Sequence, residues 1–239
     1  MKGIVLQINK RRIFSSFLFC LCGLVLWGAM MPNTSTPIES AVIGEAIRHG
    51  DESKPDIAFA CNVFWGEEYL PSMLSTLEKE GVNITFFIGG TWAKENPDLL
   101  KTIVAGNHEL GNHTYSHPHP TQITSEKNRE QIQKAEDIIR EITGVQTKLY
   151  APPYGECDKR VIHIAEELGY DTILWSIDTI DWQKPSPKTI KERVHKKIKN
   201  GAIILMHPTK STAEALPSLI QELKAKGYTI TSVGNVIAQ

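Results

Sequence analysis

The sequence has no excess of charge and no extended basic tract. Its 239 residues include 26 lysines and arginines against 27 aspartates and glutamates, so the formal net charge is −1. No long basic run follows Arg12. Proteins that bind nucleic acid hold the phosphates with clustered positive charge, so we predict no nucleic-acid partner. The region 56–239 also lacks internal repeats and low-complexity tracts, and the length suits one well-buried domain.

Charged residues are absent from residues 13–31, IFSSFLFCLCGLVLWGAMM. A helix of this length crosses a bilayer at ~1.5 Å per residue. Residues 1–12 carry four lysines and arginines, whereas no basic residue closely follows the apolar stretch. We therefore predict a cytoplasmic N-terminal segment, a single-pass anchor in the cell membrane and an extracytoplasmic remainder. Secretion after signal cleavage is the alternative, but Trp27 lies close to the candidate cleavage residue Ala29 and favours an uncleaved anchor.

Cysteine is scarce, with four residues in the chain. Cys20 and Cys22 lie in the apolar stretch and are interpreted as membrane residues. Cys61 and Cys157 fall in the part predicted to be extracytoplasmic, where an oxidising environment permits a disulfide. Burial of two free thiols explains them equally well, so the sequence leaves both readings open.

Beyond a predicted linker at residues 32–55, the chain alternates between two kinds of pattern. Apolar, β-branched runs predict seven strands, at 57–63, 84–88, 108–112, 148–150, 172–177, 202–206 and 228–232. Amphipathic stretches with helix start and stop signals separate them. This alternation predicts an α/β fold with a parallel sheet and right-handed crossovers. The residues alone leave open whether the sheet is a distorted barrel or an open doubly wound layer.

Chemically reactive side chains follow several of these strands. His113 and His117 come after the third strand, at a spacing that lets two imidazoles reach one metal ion. Two prolines precede Tyr154 after the fourth, which fits a rigid turn that aims a main-chain N–H, or simply a tight turn. Asp181 follows the fifth strand and His207 the sixth. Because the carboxyl ends of parallel strands meet at one edge, we predict a single site.

On these motifs the chain resembles the NodB-type polysaccharide deacetylases, carbohydrate esterase family four. The matching segments are GNHTYSHPH, APPYGE, WSIDTIDW, IILMHP, ITFFIGGTWA and TAEALPSLIQELKAKGYTITSV. The resemblance covers residues 56–239 and is greatest to membrane-anchored or sporulation-associated deacetylases of endospore-forming bacteria. It implies a single distorted (β/α) barrel of about seven parallel strands that deacetylates N-acetylglucosamine units of peptidoglycan or chitin-like polymers.

The resemblance also implies a role for individual residues. A divalent metal ion, zinc or cobalt, would be held by His113 and His117 together with an aspartate. His207 would be the general acid, oriented by Asp181, and the main-chain N–H of Tyr154 would stabilise the oxyanion. The substrate-binding residues that it implies are Trp182, which would pack beside the acid, Leu205 and Pro153.

Three positions depart from the family pattern. Asn62 stands where the family has its general base, Val63 where it has the aspartate ligand of the metal, and Ala151 where it has the arginine that holds the base. An amide does not take up a proton near neutral pH, and valine offers a metal no ligand. Without its carboxylate the arginine would be an unpaired buried charge, so these losses are consistent with a site that changed as a unit. We expect severely impaired or absent hydrolysis, a metal ion bound weakly or not at all, and retained binding of cell-wall glycan.

Two alternatives remain at this point. In the first, the protein is an active deacetylase that has recruited another carboxylate, with Glu67 and Glu68 as candidates. In the second, it is a non-enzymatic wall-binding or scaffold protein tethered to the membrane.

Overall fold

Strands and helices alternate along residues 44–238, the part of the chain described by the computed structural model. The strands are β1 Asp56–Val63, β2 Thr85–Ile88, β3 Glu109–Asn112, β4 Leu149–Tyr150, β5 Asp171–Thr172, β6 Ile177–Asp178, β7 Ile203–Met206 and β8 Thr229–Thr231. The helices are α1 Leu70–Glu80, α2 Gly90–Glu95, α3 Pro97–Ala105, α4 Ser125–Thr143, α5 Lys159–Glu167, α6 Pro187–Lys197, α7 Lys210–Ala225 and α8 Val233–Ile237. Short 3₁₀ turns occupy Pro120–Gln122, Pro153–Gly155 and Asp181–Gln183.

The predicted membrane segment, residues 13–31, and the basic segment before it lie outside the described residues. Within residues 44–238 no helix is both long enough and apolar enough to cross a membrane.

The strands form one parallel sheet in the order β5-β4-β3-β2-β1-β7-β6, curled into a half-barrel. The central strand β1 pairs with β2 on one side and β7 on the other, and its first residues also pair with the short β8. This is the distorted (β/α) barrel that the resemblance implied. The strand predicted at 172–177 is divided, because β5 and β6 are the two opposite edges of the sheet.

Chain from the predicted linker occupies the opening between these edges. The main-chain N–H of Ile47 donates to the carbonyl of Thr172 at 2.8 Å, and the N–H of Leu174 donates to the carbonyl of Ile47 at 2.8 Å. Two residues further on, His49 forms a bridge with Ala202 beside β7. Residues 47–49, which the composition places in a linker, therefore pair with the sheet. These backbone hydrogen bonds satisfy edge groups that would otherwise be open.

The alternation of side chains along β1 explains how the barrel is filled. Ile57, Phe59 and Cys61 belong to the main core between the sheet and the helices, whereas Ala58 and Ala60 belong to a smaller cluster on the concave face. Successive side chains of a strand point to opposite faces, so position 62 shares the concave face with the two alanines. The small residues leave room inside the barrel, and the polar site begins where they end.

Candidate functional site

A cavity of about 400 Å³ lies at the carboxyl ends of the strands. It is lined by Asn62, Phe64, Trp65, His113, His117, Tyr154, Gly155, Trp175, Asp178, Trp182, Leu205 and His207. Seven residues of the predicted site are in this set: Asn62, His113, His117, Tyr154, Trp182, Leu205 and His207. The structure therefore brings together, from five strand ends, side chains that are far apart in the sequence.

The loops that carry the site contain unusual backbone conformations. Thr114, His117, Tyr154 and Ile180 have φ angles of 64°, 54°, 60° and 52°. Residues with a Cβ seldom adopt positive φ, and a β-branched residue such as Ile180 does so least readily. Strain of this kind persists where the surrounding structure fixes it, and it clusters at functional sites.

His207 and Asp181 form a fully hydrogen-bonded acid group together with Thr212. Asp181 is completely buried. Its Oδ1 accepts from Nδ1–H of His207 at 2.8 Å, and its Oδ2 accepts from the main-chain N–H of His207 at 2.6 Å and the hydroxyl of Thr212 at 2.5 Å. Because Nδ1 carries the proton, Nε2 of His207 is left free to exchange a proton with a ligand. This is the contact that orientation of His207 by Asp181 requires.

An aromatic side chain that we did not predict covers His207. The ring of Trp65 stacks on the imidazole with a centroid distance of 5.7 Å and an interplanar angle of 10°. The turn that carries it is fixed by Gly66, whose φ is 82° and where an added Cβ would lie 2.0 Å from the carbonyl oxygen of Pro208. The predicted neighbour, Trp182, lines the same cavity but is 52% exposed. Trp65 is therefore the aromatic side chain that stacks on the imidazole of His207.

His113 and His117 lie side by side, with ring centroids 4.9 Å apart. Nδ1–H of His113 donates to the carbonyl of Ala151 at 2.7 Å, which leaves Nε2 on the far side of the ring as an acceptor. Burial, together with a smaller effect of the neighbouring His117, lowers the pKa of His113 to about 3. Burial also lowers the pKa of His117 to about 4. Both imidazoles are therefore neutral near pH 7.

These two histidines do not complete the donor set of a catalytic metal site. Such sites usually provide three protein ligands. Among residues 44–238, no group of three or more His, Cys, Asp or Glu side chains is arranged to hold a metal ion. Val63, at the position of the expected third ligand, is buried in the main core and does not line the cavity. The residues present thus do not fit the metal ion that the resemblance implies.

The structure also describes the surroundings of Asn62 and Ala151, the two other positions that depart from the family pattern. Asn62 lines the cavity with only 6% of its surface exposed. Its Oδ1 is buried and has no hydrogen-bond partner in the described part of the protein. Ala151 is buried with Ala58 and Ala60 in the apolar cluster on the concave face. An apolar cluster therefore occupies the position where the family would place a charged arginine.

The remaining predicted residues differ in how they meet the cavity. Tyr154 is 56% exposed, and its ring stacks on His119 with centroids 4.0 Å apart. Leu205, from β7, forms part of the apolar wall. Pro153 is buried beneath Tyr154 in the 3₁₀ turn and does not line the cavity, so it supports the turn without facing a ligand there.

Sequence reasoning missed three aromatic lining residues, Phe64, Trp65 and Trp175. Phe64 packs against His117 with centroids 4.9 Å apart. Phe64 and Trp65 directly follow β1, so a search of every strand end for aromatic residues, as well as acids and bases, would have found both. Trp175 lies in the bend between β5 and β6, which was predicted to be a continuous strand.

The two cysteines of the domain are both free thiols, with Cys61 buried and Cys157 partly buried. Burial raises the pKa of each thiol. Of the two readings left open by the sequence, the structure agrees with simple burial.

The chain belongs to the polysaccharide deacetylase family, whose sequence model matches residues 49–173. The uncharacterized protein YlxY of Bacillus subtilis is 47% identical over 189 residues, which are 79% of this chain and 59% of that protein. A peptidoglycan-N-acetylglucosamine deacetylase of Bacillus cereus is 34% identical over 74% of this chain and 66% of its own length. The chain therefore spans about three fifths to two thirds of these relatives.

A solved structure gives a more specific comparison. A Bacillus anthracis protein described as a pseudoenzyme of carbohydrate esterase family four is 41% identical, with a TM-score of 0.80 over 81% of this chain and 69% of that one. A mutant of the same protein, described as having restored enzymatic activity, is 40% identical with a TM-score of 0.80, covering 81% of this chain and 71% of that one. These similarities confirm the resemblance to the family.

Proposed function

We propose that this protein binds N-acetylglucosamine polymers of the cell wall and that its deacetylase activity is severely impaired or lost. The observation that carries the proposal is Asn62. It lines the cavity, the resemblance to the family assigns its position to the general base, and it is an amide with a buried, unpartnered oxygen. General-base catalysis typically contributes about 10²- to 10⁴-fold, and an amide supplies none of it near neutral pH.

The neighbouring substitutions act in the same direction. Val63 gives a metal ion no ligand, and the apolar surroundings of Ala151 leave no charged group to hold a base. These effects do not simply multiply, because residues that act as a unit are non-additive. Loss of the base is nonetheless enough to predict very slow turnover.

The parts of the site that would contact a glycan are still present. Trp65, Tyr154 and Trp182 are exposed around the cavity, and the acid group of His207, Asp181 and Thr212 is intact. The Bacillus cereus relative is described as a peptidoglycan-N-acetylglucosamine deacetylase, and the Bacillus anthracis structure as a pseudoenzyme. Together these support a ligand of the family type at a site with impaired chemistry.

The competing hypothesis is an active enzyme with a substitute base. Glu67 and Glu68, the candidates from the sequence, are exposed and do not line the cavity. Asp178 does line it, and its Oδ1 accepts from the main-chain N–H of Ile180 at 2.7 Å. If another carboxylate supports turnover, Asp178 is the residue to test first.

We also propose that residues 13–31 anchor the protein in the cell membrane, with the barrel on the outer side. Support comes from the uncharged length of this segment and the basic residues before it. This placement brings the cavity to the compartment that contains peptidoglycan. Secretion after signal cleavage would bring it to the same compartment without the tether.

Acetate release from N-acetylglucosamine oligomers and peptidoglycan, with added Zn²⁺ or Co²⁺, tests the proposal. The samples are the full-length protein, its Asn62→Asp variant, and the variant that combines Asn62→Asp with Val63→Asp and Ala151→Arg. We expect no release above background from the wild type and measurable release from the triple variant. Turnover by the wild type that disappears in Asp178→Asn would establish the competing hypothesis.

A further inference from the structure

The unpaired amide of Asn62 has a cost that nothing in the described protein offsets. Leaving a buried polar group without a hydrogen bond is unfavourable, and native structures contain few such groups. Asn62 is 94% buried, since 6% of its surface is exposed, and it still faces the cavity through the exposed part. Its neighbours on the concave face of β1, Ala58 and Ala60, offer it no donor side chain. This arrangement indicates a group that a ligand satisfies.

The walls above Asn62 define the kind of ligand. The large hydrophobic side chains exposed on the described domain are Trp65, Tyr154 and Trp182, and all three line this one cavity. Exposed aromatic side chains gathered at one concave site mark a binding surface. A sugar ring has apolar C–H faces, which can pack on these aromatic rings, and polar edges, which can hydrogen-bond to Asn62.

We propose that Asn62 recognises the intact acetamido group of an N-acetylamino sugar, so that the site retains acetylated glycan instead of hydrolysing it. This inference rests on the proposed function. An acetamide carries one N–H donor and one carbonyl acceptor, and an asparagine amide carries the complementary pair. A half-turn about the Cβ–Cγ bond of Asn62 exchanges Oδ1 and Nδ2, so the side chain can present either atom to the ligand.

The substitution of the base therefore has a consequence for binding as well as for catalysis. A carboxylate at position 62 would only accept hydrogen bonds, whereas the amide also donates to the acetyl carbonyl. Without a base the acetamide is not consumed. The acetylated sugar therefore stays bound without being hydrolysed. The property of the site to measure is its selectivity for acetylated over unacetylated sugars.

A double cycle of binding measurements tests the role of Asn62. The amide is removed from the ligand, from the protein, and from both. The ligands are chitotetraose and cellotetraose, which have the same β-1,4-linked backbone but differ in an acetamido against a hydroxyl group. The proteins are the full-length wild type in mild detergent, Asn62→Ala, and Asn235→Ala as a matched control. Asn235 is exposed, and its side chain donates to Thr231 Oγ1 at 2.9 Å, remote from the cavity lining. Titration calorimetry gives the four dissociation constants of the cycle and those of the control.

We expect the wild type to prefer chitotetraose and Asn62→Ala to weaken chitotetraose binding about tenfold. Cellotetraose binding should change less than about twofold, and Asn235→Ala should match the wild type. Equal loss for both ligands, or no loss for either, would overturn the role of Asn62 while leaving glycan binding intact. Failure of the wild type to bind either oligosaccharide would overturn the proposed function together with this inference.

Discussion

Two groups of residues at the same cavity differ sharply in how well their polar atoms are satisfied. The acid group, His207 with Asp181 and Thr212, has a buried carboxylate that accepts three short hydrogen bonds. The base group, Asn62 with Val63 and Ala151, has a buried amide oxygen without a partner and two apolar side chains. One group consists of the residues that the family resemblance predicts and the other of residues that depart from it, so we call them the preserved half and the altered half of the candidate site.

The difference shows which parts of the site are tied to the fold. Asp181 accepts from the main-chain N–H of His207 and from the first turn of α7, so it joins two loops and a helix. Removing it would leave several buried donors unpaired. The side chains of the base group make no such links in the described protein. Replacing a side chain of the base group therefore breaks no hydrogen bond between elements of the described protein, whereas replacing Asp181 breaks three.

The largest effect is expected from placing an arginine back into the altered half alone. Ala151→Arg should lower the free energy of unfolding by about 4 kcal/mol, because the guanidinium would be buried without a carboxylate. Adding Asn62→Asp should recover most of this loss. Urea unfolding of the wild type, both single variants and the double variant measures the coupling.

Side-chain size needs a control in that experiment. Ala151→Met introduces comparable length without charge, and overpacking alone typically costs about 1–3 kcal/mol. If Ala151→Arg destabilises no more than Ala151→Met, or if Asn62→Asp gives no recovery, the two positions are not electrostatically linked.

The preserved half should respond strongly to removal of its carboxylate. Asp181→Ala leaves the main-chain N–H of His207 and the hydroxyl of Thr212 without their acceptor, and should destabilise the protein by about 3 kcal/mol. Thermal and urea unfolding measure this. Asp137→Ala, on the exposed face of α4, is the matched control and should change stability by less than about 0.5 kcal/mol. A small effect of Asp181→Ala would mean that the acid group is preserved for function alone.

Much of the fold was predictable because its signals are local. Alternating apolar runs located the strands, and cap residues such as Ser186 before α6 located helix starts. The pairing of residues 47–49 with the sheet was not predictable. It is made by main-chain hydrogen bonds, which depend on where the sheet leaves an open edge and not on the side chains of residues 47–49. The break in the strand predicted at 172–177 was not predictable for a similar reason, because the curl of the sheet places its two parts, β5 and β6, at opposite edges.

The candidate site was predictable in its residue types but not in its contacts. The histidines and Asp181 could be found by their positions after strands, and Asn62 by its departure from the family pattern. Trp65 could not be placed over His207 from the sequence, because its position depends on Gly66 meeting the loop after β7. Nor could the sequence show that Asn62 Oδ1 lacks a donor, since that depends on every neighbour in three dimensions.

A smaller change, an increase in stability, is expected from replacing Asn62. Asn62→Leu replaces a buried, unpartnered amide with an apolar side chain of the same branched shape whose extra volume can extend into the cavity, and should raise the free energy of unfolding by about 1 kcal/mol. The same variant should lose the preference for chitotetraose over cellotetraose. Higher stability with lost selectivity is the result expected when a residue is kept for function at a cost to the fold. A destabilised Asn62→Leu would show that the amide has a structural partner.

The smallest effect on stability is expected at Trp65, where affinity should change without selectivity. Its ring is 42% exposed and already stacked on His207, so Trp65→Ala should change the free energy of unfolding by less than about 1 kcal/mol. Because a flat ring contacts the sugar face and not the acetamide, binding of chitotetraose and cellotetraose should weaken by the same factor, about fivefold. Trp65→Phe, which keeps a ring, should retain most of the affinity. If Trp65→Ala removes only the preference for chitotetraose, acetamide recognition belongs to Trp65 and the role assigned to Asn62 is wrong.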